Sequence, residues 1–196
     1  MKILFISFIF CISFILPAQN QINDTLPYST IPEAPETYTA GTVIARMLDG
    51  LGFRYHWATE KLTASDLDYN PGNDGRTIRQ TIAHVYGLSE VVLNSAKKQA
   101  TDRTKKVQEL DGIEQREKTL ENFKMASQLF AKSQNLKEHS VIFKRENGTS
   151  EFPFWNNING PIEDAIWHAG QIVVLRRSAG NPINPKVNVF LGKLND

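Results

Sequence analysis

The stretch from Asp164 to Arg177 (DAIWHAGQIVVLRR) constrains this chain more than any other. It carries a helical period and turns a carboxylate and an imidazole toward the interior. Residues four apart on a helix lie on one face, about 40° apart around the axis, so Asp164 and His168 are neighbours. His168 shares its stripe with Ala165, Ile172 and Leu175, a core-facing pattern. A polar pair on such a face needs a partner, because unpaired buried polar groups are costly. A divalent metal is one such partner. The segment from Thr77 to His84 (TIRQTIAH) offers a third ligand.

The rest of the chain bounds what can surround that helix. Its 196 residues, 41% hydrophobic and 22% charged, suit one globular domain with a real core. Residues 1–18 differ. Lys2 precedes an uncharged run from Ile3 to Leu16, and Pro17-Ala18 leads into the polar Gln19-Asn20-Gln21. That order predicts an export signal cleaved near Ala18, and so a periplasmic or secreted protein. The run is short for a membrane span, so no span is expected after cleavage. The single cysteine, Cys11, lies within the run behind bulky Phe8, Ile9 and Phe10, which argues against a lipoprotein. Loss of Cys11 with the signal leaves no thiol or disulfide, so any metal must be held by nitrogen and oxygen. Removing Lys2 from the 22 basic residues leaves 21 against 21 acidic, a balance that does not favour nucleic acid as a partner.

Residues 19–37 read as an extended leader, since Pro27, Pro32 and Pro35 interrupt any helix. A first helix is predicted over 38–61, weakened by Gly50 and Gly52. A loop follows, with strong turn chemistry from Asn70 to Gly75. A second helix begins at a capping box, Thr77 with Gln80. A third is predicted over about 112–134, and the mixed charges from Asp102 to Lys118 read as a solvated helix end and loop. Val141–Phe143 and Phe152–Trp155 flank Asn147-Gly148, the signature of a short hairpin. The last helix is predicted to start with Gly160 as cap and Pro161 at its first position, and to end at Gly180. The apolar tail from Val187 to Leu191 is expected to pack back on the helices. The whole predicts an all-α, up-down four-helix bundle over 38–196 with a β-hairpin-like insertion before the last helix.

Metal sites in bundles are built from side chains on facing helices. His84, Asp164 and His168 would leave open positions on Zn²⁺, Ni²⁺, Mn²⁺ or Fe²⁺, and the residue types do not select among these. Taken singly, each has a plainer reading. His84 and His168 fit hydrogen-bonded core histidines, and Asp164 fits a first-turn acid favoured by the helix dipole. His56 and Glu60, also four apart, lie off the main stripe of the first helix. They read as a surface hydrogen bond, or as candidates for proton transfer beside a metal. His139 is expected in solvent. Trp57, Trp155 and Trp167 could together wall a cavity for a small apolar ligand, the basis of a second reading as a metal-free binding module. There is no phosphate loop and no Gly-x-Ser-x-Gly elbow.

The segment from Thr77 to His84, the segment from His168 to Gly180 and the loop from Leu67 to Pro71 together resemble the DinB-like, YfiT-type superfamily over roughly residues 38–180. The resemblance implies a four-helix bundle holding a divalent ion with one histidine from helix two and a His-x-x-x-His pair from helix four. Those positions fall on His84, Asp164 and His168, with aspartate where the first histidine of the pair is usual. It further implies a small-molecule substrate and, since such bundles often pair, a homodimer. Relatives include thiol-dependent S-transferases and metal-dependent hydrolases or isomerases. Low-molecular-weight thiols are chiefly cytosolic, so an exported protein points toward metal-dependent hydrolysis, or simple binding, rather than thiol transfer.

Overall fold

Thr39 opens the first helix, α1 (Ala40–Thr59), through a capping box with Thr42. The computed structural model describes residues 26–106 and 109–196, and the expected export signal over 1–18 lies outside the described residues. Nearly all of α1 from Leu51 to Thr59 is buried, on every face. A helix buried on every face must be covered on every face. Here α4 (Gly112–Ala131) and α6 (Glu163–Ser178) pack on it, and so does the segment before it.

Of the segment read from the sequence as an extended leader over 19–37, the described residues 26–37 form a strap. Tyr28 is buried, its hydroxyl donating to Asp49 Oδ1 at 3.0 Å. The indole Nε1 of Trp57 donates to the Ser29 carbonyl at 3.2 Å, and Arg46 Nη1 donates to the Pro32 carbonyl at 2.6 Å. A Cβ on Gly52 would meet the Tyr28 ring at 2.3 Å. The glycine that weakens the helix is therefore the one that admits the strap.

After the short α2 (Ala64–Leu67) comes α3 (Ile78–Ala96), capped by Thr77 and Gln80 as its sequence predicts. Its apolar stripe, Ile78, Ile82, Val85 and Val92, is wholly buried. Each of α1, α3, α4 and α6 touches two of the others, around a core of Leu48, Phe53, Tyr55, Phe123, Phe130 and Ile172. The molecule is mostly helical, with a small sheet. Among the described residues, no helix is long and apolar enough to cross a membrane.

The sheet corrects two expectations. The hairpin is present as β2 (Val141–Arg145) and β3 (Gly148–Phe152), but Arg145 pairs with Gly148, so the turn is Glu146-Asn147 and Gly148 begins the return strand at φ 132°. A third strand, β1 (Thr101–Asp102), runs parallel to β2 in a segment read as helix end and loop. The start of the last helix also differs from the sequence reading. Helical backbone begins earlier, at α5 (Trp155–Asn157), and passes through a wide π turn from Ile158 to Ile162 before α6. Pro161 lies inside that turn instead of starting the helix. In the tail, β4 (Val187–Asn188) pairs with β5 (Lys193–Leu194), and Val187 and Leu194 reach the core. Val189, Phe190 and Leu191 are exposed, so the expected packing of the tail holds only at its ends.

Candidate metal centre

The site joins the middle of α3 to the first turns of α6. His84 stands on the partly open edge of α3, two residues beyond buried Ile82. On α6, Ala165, Ala169 and Ile172 are buried in the core and fix the rotation of the helix. Asp164 and His168 then lie at its rim, facing His84. The π turn contributes to this phase, since one extra residue in a turn rotates the helix beyond it by about 100°.

His84 Nε2 lies 3.1 Å from Asp164 Oδ2, and His168 Nε2 lies 3.2 Å from Asp164 Oδ1. The two imidazole rings meet edge to face, with centroids 4.6 Å apart. One donor atom from each residue falls within 4.8 Å of the other two. Two donors each about 2.1 Å from a tetrahedral ion are about 3.4 Å apart, so the observed spacings suit one shared cation.

The protons point the same way. His168 Nδ1–H donates to Gln171 Oε1 at 2.6 Å, which turns Nε2 toward the carboxylate. Two acceptors held that close repel unless a proton or a cation lies between them. A ligating histidine whose other nitrogen is fixed by an acceptor is the usual arrangement at metal sites. The donor set of two nitrogens and one oxygen therefore fits a divalent transition ion.

Access is one-sided. The His168 side chain is 11% exposed, against 34% for His84 and 37% for Asp164. A cleft of about 660 Å³ opens beside His168, lined by Pro71, Arg76, Thr81, Trp167, Gln171 and Val174.

The other candidates lie elsewhere. His56 is buried in α1 rather than at the surface, with Nδ1 2.8 Å from the Pro27 carbonyl. Burial pushes its pKa below the ordinary value, against the opposing pull of that carbonyl. Glu60 pairs with Lys61 at 3.2 Å. Neither supplies an atom to the trio. His139, expected in solvent, is buried. Its Nδ1–H donates to the Ser95 carbonyl at 3.1 Å, and Nε2 accepts from Ser133 Oγ at 2.8 Å. The three tryptophans do not share a cavity. Trp57 is buried against the strap, Trp155 and Trp167 are exposed, and of the three only Trp167 lines the cleft.

Sequence reasoning did not identify the task of Arg176. Its guanidinium is buried and donates to the carbonyls of Trp57 and Ala58, each at 3.0 Å, and to the Asn181 carbonyl at 2.7 Å. Arg116 Nε donates to Thr59 Oγ1 at 2.8 Å. Two arginines thus hold the last turn of α1, where helix carbonyls lack partners of their own. An arginine two turns beyond a candidate ligand, on a buried face, was the available clue.

No curated protein and no solved structure matches the chain. The family model described as the DinB family matches residues 54–189, from the second half of α1 through α6 and into the tail. That match spans more than half of the chain and includes all three residues of the trio: the chain belongs to the DinB family.

Proposed function

We propose that this DinB-family protein is a metal-dependent hydrolase, holding a divalent ion through His84, Asp164 and His168 and acting on a small molecule taken into the adjoining cleft. One observation carries the reading: two imidazole nitrogens and a carboxylate from two helices converge, while the bond from Nδ1 to Gln171 turns His168 Nε2 into the same space. When bound, such an ion supplies Lewis acidity and activates water for attack near neutral pH. The chain's own residues do the rest. His168 and Asp164 are held rigidly by the buried face of α6. His84 and Asp164 stay open on one side, which leaves room for a substrate group. The apolar cleft excludes bulk water from the substrate's body. His56 and Glu60, held at Pro27 and Lys61, take no part in proton transfer on this reading.

The ring of contacts among α1, α3, α4 and α6 supports an up-down four-helix bundle as the finer description of the fold. Export is proposed from the pattern of residues 1–18 alone.

Elemental analysis of purified protein tests the metal. About one ion per chain is expected in the wild type, falling tenfold or more in His168→Ala and Asp164→Ala. Equal, substoichiometric metal in all three proteins overturns the proposal. Aryl ester turnover that is lost on chelation and restored by the ion supports the hydrolytic part. The apolar cleft favours one second reading, binding of a small apolar ligand without catalysis. Under it, ligand affinity survives chelation and no turnover is found with or without metal.

A further inference from the structure

The cleft beside His168 has features that holding an ion does not use. Its volume, about 660 Å³, suits a small molecule. Trp167 is 70% exposed and Val174 60% exposed, one helical repeat apart on the outer face of α6. Gly170 lies between them on the same face and lines the same cleft. A glycine inside a helix is less stable than alanine by about 1 kcal/mol, so it calls for a reason. Here no neighbouring protein atom supplies one, because a Cβ at Gly170 would meet nothing within 4 Å. Gly75, which also lines the cleft, is a different case: its Cβ would strike Pro71 Cγ at 2.5 Å. The effect of glycine at 170 is to leave bare helix backbone in the cleft, flanked by an indole and a valine. A flat apolar body fits such a surface.

Arg76 is the one charged residue lining the cleft. Among the described residues it has neither an ionic nor a hydrogen-bonded partner, whereas nearby Arg79 is held by Asp68 at 2.7 Å. A free guanidinium on an apolar cleft is suited to a carboxylate, which it can grip with two parallel hydrogen bonds. We propose that the cleft takes an aryl carboxylate, its ring system lying over Gly170 against Trp167 and its carboxylate held by Arg76. This deepens the metal-dependent reading of the same site. It rests on that reading for the reaction but not for the binding.

Calorimetric titration of the full chain with 2-naphthoate and the neutral 2-naphthylmethanol, in chelator-treated and zinc-loaded forms, tests it. Saturable binding of 2-naphthoate is expected in both forms, at least tenfold tighter than the alcohol. Arg76→Gln is expected to abolish that tenfold preference and leave the alcohol unchanged. Gly170→Val is expected to weaken both probes tenfold or more, and Gly170→Ala, which favours the helix, to weaken both in the same direction. The inference is overturned if no saturable binding occurs, if the preference survives Arg76→Gln, or if it tracks zinc instead of Arg76. It is also overturned if both Gly170 variants bind as the wild type does. Binding that behaves as expected in a protein unable to take up zinc upholds this inference while ending the metal reading. Zinc uptake without naphthoate binding does the reverse.

Discussion

Gln171 accepts the Nδ1 proton of His168, and that bond fixes which ring nitrogen faces Asp164. Outer residues that orient a ligand commonly matter ten- to a hundredfold for metal affinity. Gln171→Leu, on an exposed helical position, is therefore expected to fold normally and to bind zinc about ten- to a hundredfold more weakly, as measured by competition with a chromogenic chelator. His56 makes a different prediction. Burial holds its folded pKa below the ordinary 6.5. As pH falls below that value the unfolded chain takes up the proton first, so stability present above pH 6.5 is lost on the way down to the folded pKa. Denaturant melts of wild type and His56→Asn between pH 5 and pH 7.5 should show the steeper acid-side loss in the wild type. Equal slopes would refute the assignment. The sequence made Asp164 and His168 legible as a pair at this scale, because spacing on a helix is local, while His84 was a candidate on another helix whose meeting with them no local spacing gives. It left His56 and His139 misplaced, because the Pro27 and Ser95 carbonyls that hold them are far away in the chain.

Among the elements, α1 depends most on what surrounds it. Gly52→Ala should gain helix propensity of about 1 kcal/mol yet lose more to collision with the Tyr28 ring, for a net loss of about 1–2 kcal/mol. In a Tyr28→Ala background the same substitution should stabilise, so the sign reversal in a double-mutant cycle reports the strap directly. Arg176→Leu removes the partner of two buried carbonyls at the end of α1. At about 1–3 kcal/mol for each orphaned group, a loss of about 3 kcal/mol or more is expected in chemical denaturation. Helix starts that rest on a capping box, such as Thr77 with Gln80, were legible because the cap lies within the first turn. The start of the last helix was not. Proline within a π turn and proline at a first helical position look alike in sequence, and only the packing of Asn157 and Ile162 into the core separates them.

At the scale of the whole molecule, the trio ties α3 to α6, so an ion bound there is linked to folding. Zinc at about a hundred times its dissociation constant should raise stability by about 2.7 kcal/mol, and His84→Ala should abolish the gain. Thermal melts with and without zinc measure both, and an equal gain in the variant would place the ion elsewhere. The amphipathic period of the long helices, the Thr77 cap, the Gly180 stop at φ 91° and the existence of the hairpin were set by the sequence itself, since each arises from interactions within a few residues. The tertiary structure decided the rest. It laid the described part of a proline-rich leader over α1 as a strap anchored by buried Tyr28, added a parallel strand to the hairpin, took His139 out of solvent, and brought His84 against a carboxylate eighty positions away. Local periodicity fixes which face of a helix is apolar, but only the packing of one helix on another fixes what that face's edge will meet.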